Sequence, residues 1–293
     1  MWQKILDKAA GQIVPGTLYV TATPIGNLAD ISLRALAVLR RADLVCAEDT
    51  RVSQQLLGAY GIQAKLLSVR EHNERQMTER VVAALAGGLV VAQISDAGTP
   101  AVCDPGAKLV QGVRAAGFPA VPVAGASAAM AALSVAGVTR PDFYFAGFLP
   151  PKSSERQRRL AEWREVPYAV VMFETPHRIE AALAEMAAVF PERQLVLGRE
   201  ISKTFETFLS GSVADVRAQV AADANQSRGE MVLVLHPLPE RAEQILTPQA
   251  KHIMQRLAAE LPPKKAAALA AEISGAHKKD LYDWLLRQKA AQP

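Results

Sequence analysis

The sequence predicts two α/β domains followed by a small helical module, and three observations support this fold class. Short apolar runs alternate with longer segments whose apolar residues recur every three or four positions, which is typical of strands alternating with helices in a parallel sheet. This alternation breaks at residues 137–143 and then resumes, and the pattern changes again after Pro239. We therefore expect an N-terminal tail followed by three regions. The boundaries are 1–16, 17–139, 140–238 and 239–293.

The first α/β domain is predicted from a series of short apolar strands. Each is followed by a helical pattern, and such connections between parallel strands are right-handed. The predicted strands are Thr17–Ala22, Leu44–Ala47, Lys65–Val69, Leu89–Ile94 and Ala120–Val123.

The second domain is predicted to be α/β or α+β. Its helices are expected near Pro176 and within Ala214–Ala221, and the charged segment PPKSSERQRRLAEWRE separates its first two strands. Its predicted strands are Tyr144–Phe148, Tyr168–Phe173, Gln194–Gly198 and Met231–Leu235. The C-terminal region reads as three short helices with breaks at Pro262-Pro263 and Gly275, which is the size of a helix-turn-helix module.

The composition predicts a soluble cytoplasmic protein. Of the 293 residues, 50% are hydrophobic and 21% are charged, which is ordinary for a globular chain. No apolar run is long enough for a signal peptide or a membrane span, so no membrane partner is expected. Cys46 and Cys103 are the only cysteines, which favours buried thiols in a reducing compartment over a disulfide framework. A net charge of +4 permits a polyanionic partner without establishing one.

The loops after the predicted strands point to a ligand site. Two common nucleotide signatures, the P-loop and the G-x-G-x-x-G turn, are absent from the sequence, which argues against the nucleotidases and dehydrogenases that use them. The loops instead read TATPIGNLADIS, AEDTR, REHNER, ISDAGTPAVCDPG and VAGASAAM. Because parallel strands end at one edge of their sheet, these loops are predicted to form one ligand-binding cleft.

Each loop taken alone also has a purely structural interpretation. Glycine, proline and aspartate dominate ordinary turns. Asp49 or Thr50 would cap a helix, with Arg51 as an ion-pair partner. His72 beside two acids is more typical of a surface cluster than of a metal site, which needs three or four convergent ligands, so no metal is expected. The joint pattern therefore carries the prediction of a cleft.

The motifs as a set resemble a known family. In order, they are TPIGNLADISLRALAVLRRADLVCAEDTR, HNE, SDAGTPAVCDPG, GFLPPK, FETPHR, REISKTFE and RGE. They are similar to the tetrapyrrole-methylase superfamily of class III S-adenosylmethionine methyltransferases and, within it, to the ribosomal RNA small subunit methyltransferase I family. The resemblance extends from about Gly16 to the C-terminal helices. One departure is Ala124, where the family commonly has proline before Gly125.

The resemblance implies S-adenosylmethionine as the methyl donor, held in a cleft between the two α/β domains. The backbone at Gly98 can approach a ligand closely because glycine has no side chain, which agrees with that role. Phe173 has the alternative of a core aromatic residue in a strand. The implied cofactor contacts are Pro24, Asp96, Ala97, Gly98, Thr99, Pro100, Ser127, Ala128, Phe173, Glu174, Gly229 and Glu230.

The implied reaction is methyl transfer to the 2′-hydroxyl of a cytidine ribose in the decoding centre of 16S rRNA. This hydroxyl is a poor nucleophile at neutral pH, so positioning or a general base must assist it. The candidates for the base, with no choice made among them, are Asp49, His72, Glu74, Lys203 and Glu206.

RNA contacts are predicted on basic residues of both the α/β domains and the C-terminal module. For the charged segment after GFLP the alternative is a solvated helix face, and for the C-terminal lysines it is packing against a dimer partner. The predicted RNA contacts are Arg51, Lys152, Arg156, Arg158, Arg159, Lys264, Lys265, Lys278 and Lys279.

Two other functions fit parts of the sequence. A tetrapyrrole methyltransferase, acting on a corrin or porphyrin precursor, would share the fold but would not need the basic segment or the C-terminal module. A non-catalytic ribosome-assembly factor would bind RNA with a steep salt dependence and show no turnover. The resemblance favours a methyltransferase that acts on the small ribosomal subunit and forms a homodimer.

Overall fold

The structure, a computed structural model, describes residues 2–70, 72–238 and 246–290. The chain divides into two compact units, Met1–Leu238 and Pro239–Pro293. The boundary at residue 239 coincides with the predicted start of the helical module, and both predicted α/β domains lie within the first unit. In the part of the chain that is described, no helix is long and apolar enough to cross a membrane.

The first sheet is parallel throughout, with the strand order β3-β2-β4-β1-β5. Every predicted strand of this sheet is present, and each lies within its predicted range. The strands are β1 (Leu18–Thr21), β2 (Leu44–Ala47), β3 (Leu66–Ser68), β4 (Val91–Gln93) and β5 (Ala120–Val123). Their side chains are mostly apolar on both sides because helices cover both faces of the sheet.

The helices of this first lobe are α1 (Trp2–Ala10), α2 (Leu33–Arg41), α3 (Thr50–Ala59), α4 (Glu74–Ala86), α5 (Ala107–Ala115) and α6 (Ala128–Val135). Helices α2 and α3 pack on one face of the sheet, and α4 and α5 pack on the other. Helix α6 follows the last strand and packs on the second sheet instead.

The predicted N-terminal tail is corrected by the structure, since it contains α1. Leu6 is buried, and the helix packs against α2. The backbone N–H of Val14 then donates to the hydroxyl of Tyr19 on β1, over 2.8 Å. The segment before the first strand is therefore part of the folded lobe.

The second sheet, which with its helices forms the second lobe, has the order β6-β7-β10-β8-β9. Only β6 and β7 pair in parallel, and the other pairs are antiparallel. The strands are β6 (Phe143–Phe148), β7 (Ala169–Glu174), β8 (Gln194–Arg199), β9 (Thr207–Ser212) and β10 (Met231–Leu235). Strand β9 was not predicted from the sequence, because this half-exposed edge strand, TFLSGS, lacks an apolar run.

The two faces of the second sheet have different neighbours. The outer face packs against the lobe's own helices, which are α7 (Ser153–Glu162), α8 (Ile179–Val189) and α9 (Val213–Ala222). The inner face packs against Ala129, Ala132 and Ala136 in and after α6. The first lobe therefore supplies the helix that covers the inner face of the second.

The C-terminal unit is a three-helix module, as predicted. Its helices are α10 (Pro248–Glu260), α11 (Pro263–Ser274) and α12 (Lys278–Ala290). They pack around a small apolar core that includes Met254, Ala267 and Leu281. The breaks fall where the sequence predicts them, because prolines begin α11 and Gly275 ends it in a left-handed conformation.

Candidate active site at the strand-end edge

Three of the predicted loops are joined at the strand-end edge, which is the edge formed by the carboxyl ends of β1–β5. Thr23 N donates to Gly98 O over 2.8 Å, and Gly98 N donates to Thr23 O over 3.1 Å. The Thr23 hydroxyl also donates to Ser95 O over 3.2 Å. The Thr99 hydroxyl donates to Ala126 O over 3.1 Å, which ties the loop after β4 to the loop after β5. These contacts make one connected surface from three separate loops.

The loop after β4 contains several backbone conformations that side chains rarely adopt. Its positive φ angles are 76° at Gly98, 64° at Ala101, 65° at Cys103 and 124° at Gly106. Such residues other than glycine cost about 1–3 kcal/mol each, and they cluster at functional sites. A Cβ atom at Gly98 would also lie 3.3 Å from Cγ2 of Ile25. Position 98 therefore needs glycine for its conformation and for this contact.

The two cysteines lie in different environments. Cys46 on β2 is buried, and burial raises the pKa of its thiol to about 12. Cys103 is exposed in the loop after β4, so the prediction that both thiols are buried is wrong for this residue. Both cysteines are free.

The loop after β5 lies directly against the end of β1. A Cβ atom on Gly125 would stand 2.9 Å from the Cβ of Ala22, so this approach requires glycine. Ser127 caps α6, since its hydroxyl accepts from Met130 N over 3.4 Å. Ala124, the departure from the family pattern, leaves both the close approach and the cap in place.

Glu74 holds the far end of the loop after β4. Its buried carboxylate oxygen Oε1 accepts hydrogen bonds from the backbone N–H groups of Gly106, Lys108 and Leu109, over 2.8, 2.9 and 3.2 Å. A carboxylate at the start of a helix is stabilised by the free N–H groups and the helix dipole. Capping of α5 therefore accounts for Glu74, one of the predicted candidates for the base.

Four acidic residues lie at the ends of β2 and β4. Asp49 caps α3 and pairs with Arg51 over 2.6 Å, and its hydrogen bonds with Arg51 lower its pKa. The backbone N–H of Asp49 donates to Asp96 Oδ1 over 3.2 Å. Glu48 is half-buried, and burial, followed by the charges of Asp96 and Asp104, raises its pKa. Glu48 was not among the predicted candidates, because its burial and its acidic neighbours arise only when β2 and β4 lie side by side.

Lys203 crosses from the second lobe to the loop after β1. A Cβ atom on Gly26 would stand 2.3 Å from Cγ of Lys203. The Lys203 ammonium donates to Glu200 Oε1 and Glu230 Oε2, each over 2.9 Å, and Glu200 packs on Gly229. Burial disfavours the charged ammonium, but these two carboxylates outweigh it and raise the pKa of Lys203. Lys203 therefore stays protonated at neutral pH.

The other candidates for the base have different surroundings. Glu206 is exposed, and its Oε2 accepts from Ser202 N over 2.6 Å. The Ser202 hydroxyl contacts the carboxylate of Asp30, which is a second link between the lobes. His72 is exposed in the turn before α4. Among the residues that the structure describes, no three His, Cys, Asp or Glu side chains are grouped so as to hold a metal ion.

The side chains of Phe173 and Glu174 lie on opposite faces of β7. Phe173 packs on the inner face, with its ring centroid 5.1 Å from that of Phe145. Glu174 is buried on the other face, where it pairs with Arg178 over 2.6 Å and accepts from Thr175 N over 2.8 Å. A ligand at the inner face could therefore contact the side chain of Phe173, but only the backbone of Glu174.

Arg156 differs from the rest of the predicted RNA-binding set because it is buried. Its Nε and Nη2 donate to the two carboxylate oxygens of Glu185, over 2.8 and 2.7 Å. Its Nη1 donates to the carbonyl oxygens of Pro150 and Pro151, each over 3.3 Å. These contacts use four of the five N–H donors of a guanidinium that is buried away from solvent, so we remove Arg156 from the predicted RNA contacts.

The other predicted RNA contacts are accessible to different degrees. Arg159 is half-buried, with its guanidinium 5.4 Å from the ring centroids of both Tyr144 and Trp163. The remaining ones are exposed, and they are Arg51, Lys152, Arg158, Lys264, Lys265, Lys278 and Lys279.

Comparison with known proteins bears on both units. The tetrapyrrole (corrin/porphyrin) methylase family model matches residues 17–217, and the RsmI C-terminal HTH domain model matches residues 244–289. The ribosomal RNA small subunit methyltransferase I of Neisseria meningitidis serogroup A is 65% identical over 289 residues, which cover 99% of each chain. The chain belongs to the ribosomal RNA small subunit methyltransferase I family. This membership confirms the predicted fold class and the predicted class of enzyme, a methyltransferase.

Other relatives agree with this assignment to the family. The protein of the same name from Pseudomonas aeruginosa is 49% identical over 276 residues, covering 94% of this chain and 98% of its own. Among solved structures, cobalt precorrin-4 methyltransferase has a TM-score of 0.56 at 18% identity, covering 75% of this chain and 95% of that chain. Uroporphyrin-III C-methyltransferase from Thermus thermophilus has a TM-score of 0.53 at 22% identity, covering 75% and 94%. At these identities the structural likeness shows the fold alone.

Proposed function

We propose that this chain transfers a methyl group from S-adenosylmethionine to the 2′-hydroxyl of a cytidine ribose in the decoding centre of 16S rRNA. The observation that carries the proposal is the joining of the loops after β1, β4 and β5 at the strand-end edge, in a chain of this family. Open α/β sheets bind their ligands outside the carboxyl ends of their strands. The same edge faces residues of the second lobe, through the contact of Lys203 with Gly26.

The residues at this edge fit S-adenosylmethionine, which when bound supplies an activated methyl group on a positively charged sulfur. Gly98 is buried, and its N–H and C=O bond to Thr23, so it sets the path of the loop between the exposed residues on either side of it. The carboxylates of Asp96 and Glu48 favour a cation nearby. Asp96, Ala97 and Thr99 are exposed at the loop surface and would hold the cofactor.

Glu48 is the residue that we propose as the general base. A base works best when its pKa lies near the operating pH, and the pKa of Glu48 is raised toward that range. The pKa of Asp49 is instead lowered by Arg51, and Lys203 is held in its protonated form. Glu48 would accept the proton of the ribose hydroxyl while the hydroxyl oxygen bonds to the methyl carbon and the carbon–sulfur bond breaks, which would leave S-adenosylhomocysteine. Positioning by the surrounding loops supplies the rest of the acceleration.

The exposed basic residues are proposed to bind the RNA backbone. Arg51 and Lys152 have side chains that are 85% and 76% exposed, which leaves them accessible to phosphate although each also has an acidic neighbour. The lysines of the C-terminal unit lie at the starts of α11 and α12, where backbone N–H groups also favour phosphate. The proposed substrate is the small ribosomal subunit, and we propose that the enzyme acts on it in the cytoplasm as a homodimer.

Methyl-labelled S-adenosylmethionine and undermethylated small subunits test this function. We expect label in 2′-O-methylcytidine, identified by mass spectrometry of the nucleosides. Deletion of residues 239–293 should lower transfer to the subunit while cofactor binding persists. Cofactor binding with no label in any nucleoside would overturn the proposal. That outcome would favour a tetrapyrrole substrate or a role in ribosome assembly.

A further inference from the structure

Phe148 is an exposed aromatic residue for which the proposed reaction gives no role. It is the last residue of β6 and lies in the motif GFLPPK, and 52% of its surface is exposed. Phe143 and Tyr144 at the start of β6 are also exposed, but Phe148 is the exposed aromatic residue next to Gly147, where the strand meets the first lobe. The exposure therefore calls for an explanation from the local fold.

A β-bulge places the ring on the inner face of the sheet. The pairing of β6 with β7 shifts register between Phe145 and Gly147, and Gly147 has a φ of 66°. Phe145 packs on the inner face, so regular alternation along the strand would send Phe148, three residues later, outward. Instead its ring lies 5.5 Å from that of Phe173, an inner-face residue. Bulges near active sites re-aim side chains in this way.

The first lobe approaches Phe148 at the bulge itself. A Cβ atom on Gly147 would stand 3.0 Å from Sγ of Cys103, which belongs to the strained loop after β4. Phe148 therefore lies beside the loop that we propose to hold the cofactor. Its ring meets Phe173 at an interplanar angle of 64°, which is an edge-on contact, and more than half of its surface remains free.

The surroundings of the ring suit a nucleotide. The chain runs from Phe148 through two prolines to Lys152, whose side chain is 76% exposed, and α7 then presents the exposed Arg158. Unpaired bases are recognised by stacking on aromatic side chains, while nearby cations contact the phosphates. An apolar ring followed by exposed cations provides both kinds of contact.

We propose that Phe148 is the stacking surface for a base of an unpaired nucleotide of the RNA substrate, at or next to the nucleotide that is methylated. This inference rests on the proposed function, because it requires RNA at this edge. The molecule that we propose to contact Phe148 is RNA. The adenine of the cofactor and a second copy of the chain are the rival occupants, and the experiment separates them.

The test compares four variants. Phe148→Ala removes the ring, Phe148→Leu keeps an apolar side chain without an aromatic face, and Phe148→Trp keeps stacking. Phe143→Ala is the matched control, since Phe143 is on the same strand and is 41% exposed at its opposite end. For each variant we would measure equilibrium binding to undermethylated small subunits, calorimetric affinity for S-adenosylhomocysteine, and oligomeric state by sedimentation.

We expect Phe148→Ala and Phe148→Leu to weaken subunit binding by about 5- to 150-fold, the range for loss of one base–aromatic stack. Phe148→Trp should restore binding, and Phe143→Ala should bind like the wild type, with cofactor affinity and oligomeric state unchanged in all four. Unchanged subunit binding in Phe148→Leu would overturn the proposal. So would a loss of cofactor affinity, which indicates an adenine contact, or a change of oligomeric state, which indicates an interface.

Failure of this inference can be distinguished from failure of the proposed function. If wild-type protein binds subunits but transfers no methyl group, the function fails while the binding assay still tests Phe148. If Phe148→Ala does not fold, Phe148→Leu and Phe148→Trp carry the comparison, because both keep a large apolar side chain at the position.

Discussion

The side chain of Lys203 lies across the backbone of Gly26, so that a Cβ atom on the glycine would stand 2.3 Å from Cγ and 2.8 Å from Cε of the lysine. These two residues come from different lobes. Lys203 is held in place by Glu200 and Glu230. The loop after β1 and the segment 200–206 are therefore packed against each other at this glycine and lysine stem, in addition to the contact of Ser202 with Asp30.

Gly26→Ala should destabilise the chain and loosen this contact. The new methyl group displaces the lysine stem from its two carboxylates, and the φ of 139° at this position adds strain of about 1–3 kcal/mol. Gly61→Ala is the control for strain alone, because Gly61 has a φ of 65° with open space around it. Urea unfolding of Gly26→Ala, Lys203→Ala and the double variant gives the coupling free energy between the two positions. Strictly additive effects would show that the contact has no energetic consequence.

Asp96→Ala should weaken cofactor binding by about 10- to 100-fold, since hydrogen bonds to charged groups contribute about 1.5–3 kcal/mol. The fold should be retained, because Asp96 is exposed in its loop. Gly98→Val should also lower the affinity, because its side chain would meet Ile25 and the positive φ would strain the loop that carries Asp96 and Thr99. Isothermal calorimetry with S-adenosylhomocysteine measures both, and Asp142→Ala, which removes an acid that is 65% exposed on another loop, serves as the control. Wild-type affinity in both variants would remove this loop from the cofactor site.

Glu48→Gln should lower kcat by about 10²- to 10⁴-fold with little change in KM, as expected for loss of a general base. Asp49→Asn should cost less, because Arg51 keeps the pKa of Asp49 low and makes it a weak base. With saturating cofactor, the wild-type rate should fall as pH decreases through the raised pKa of Glu48. Asp96→Asn should move this limb to lower pH, because it removes one of the charges that raise that pKa. If the pH–rate profile of Glu48→Gln kept the same acidic limb as the wild type, a group other than Glu48 would be responsible for it.

Arg156→Ala should destabilise the second lobe by about 3–5 kcal/mol, the range for removing one partner of a buried ion pair. The loss leaves Glu185 without its two hydrogen bonds from the guanidinium. Arg158→Ala changes an exposed residue on the same helix and should alter stability by no more than about 0.5 kcal/mol. Chemical unfolding compares the two. When folded protein of both variants is compared, Arg158→Ala should bind the small subunit more weakly than Arg156→Ala does.

Replacing Lys264 and Lys265 together by alanine should reduce the salt dependence of subunit binding. Each phosphate contact that is lost lowers the slope of log K against log salt by about 0.7–0.9. Lys278 and Lys279 form a second pair for the same measurement, and Lys4→Ala on α1 is the control at an exposed position of the other unit. A slope equal to that of the wild type in both pairs would argue that the C-terminal module does not contact phosphate.

The alternation of strands and helices in the first lobe can be predicted from the sequence because both faces of its parallel sheet are covered by helices. Strands such as Leu44–Ala47 are then apolar throughout, and the helical spacing of apolar residues between the strands is equally clear. The three C-terminal helices can be predicted for a different reason, since prolines and Gly275 mark the breaks between them. Strand β9 and helix α1 escaped prediction, because an edge strand and a short surface helix bury only part of their side chains.

From the sequence alone we could predict every strand except β9, the C-terminal helices, and the family to which the strand-end loops belong. Which residues of those loops are free to act depends on contacts that form only when the chain folds. Glu74 and Arg156 look like site residues in the sequence, yet the fold buries them against a helix start and against Glu185. In the sequence, Glu48 and Phe148 are parts of the motifs AEDTR and GFLPPK, but neither was assigned a role. Their environments depend on neighbouring strands and on a bulge, which are contacts between residues far apart in the chain.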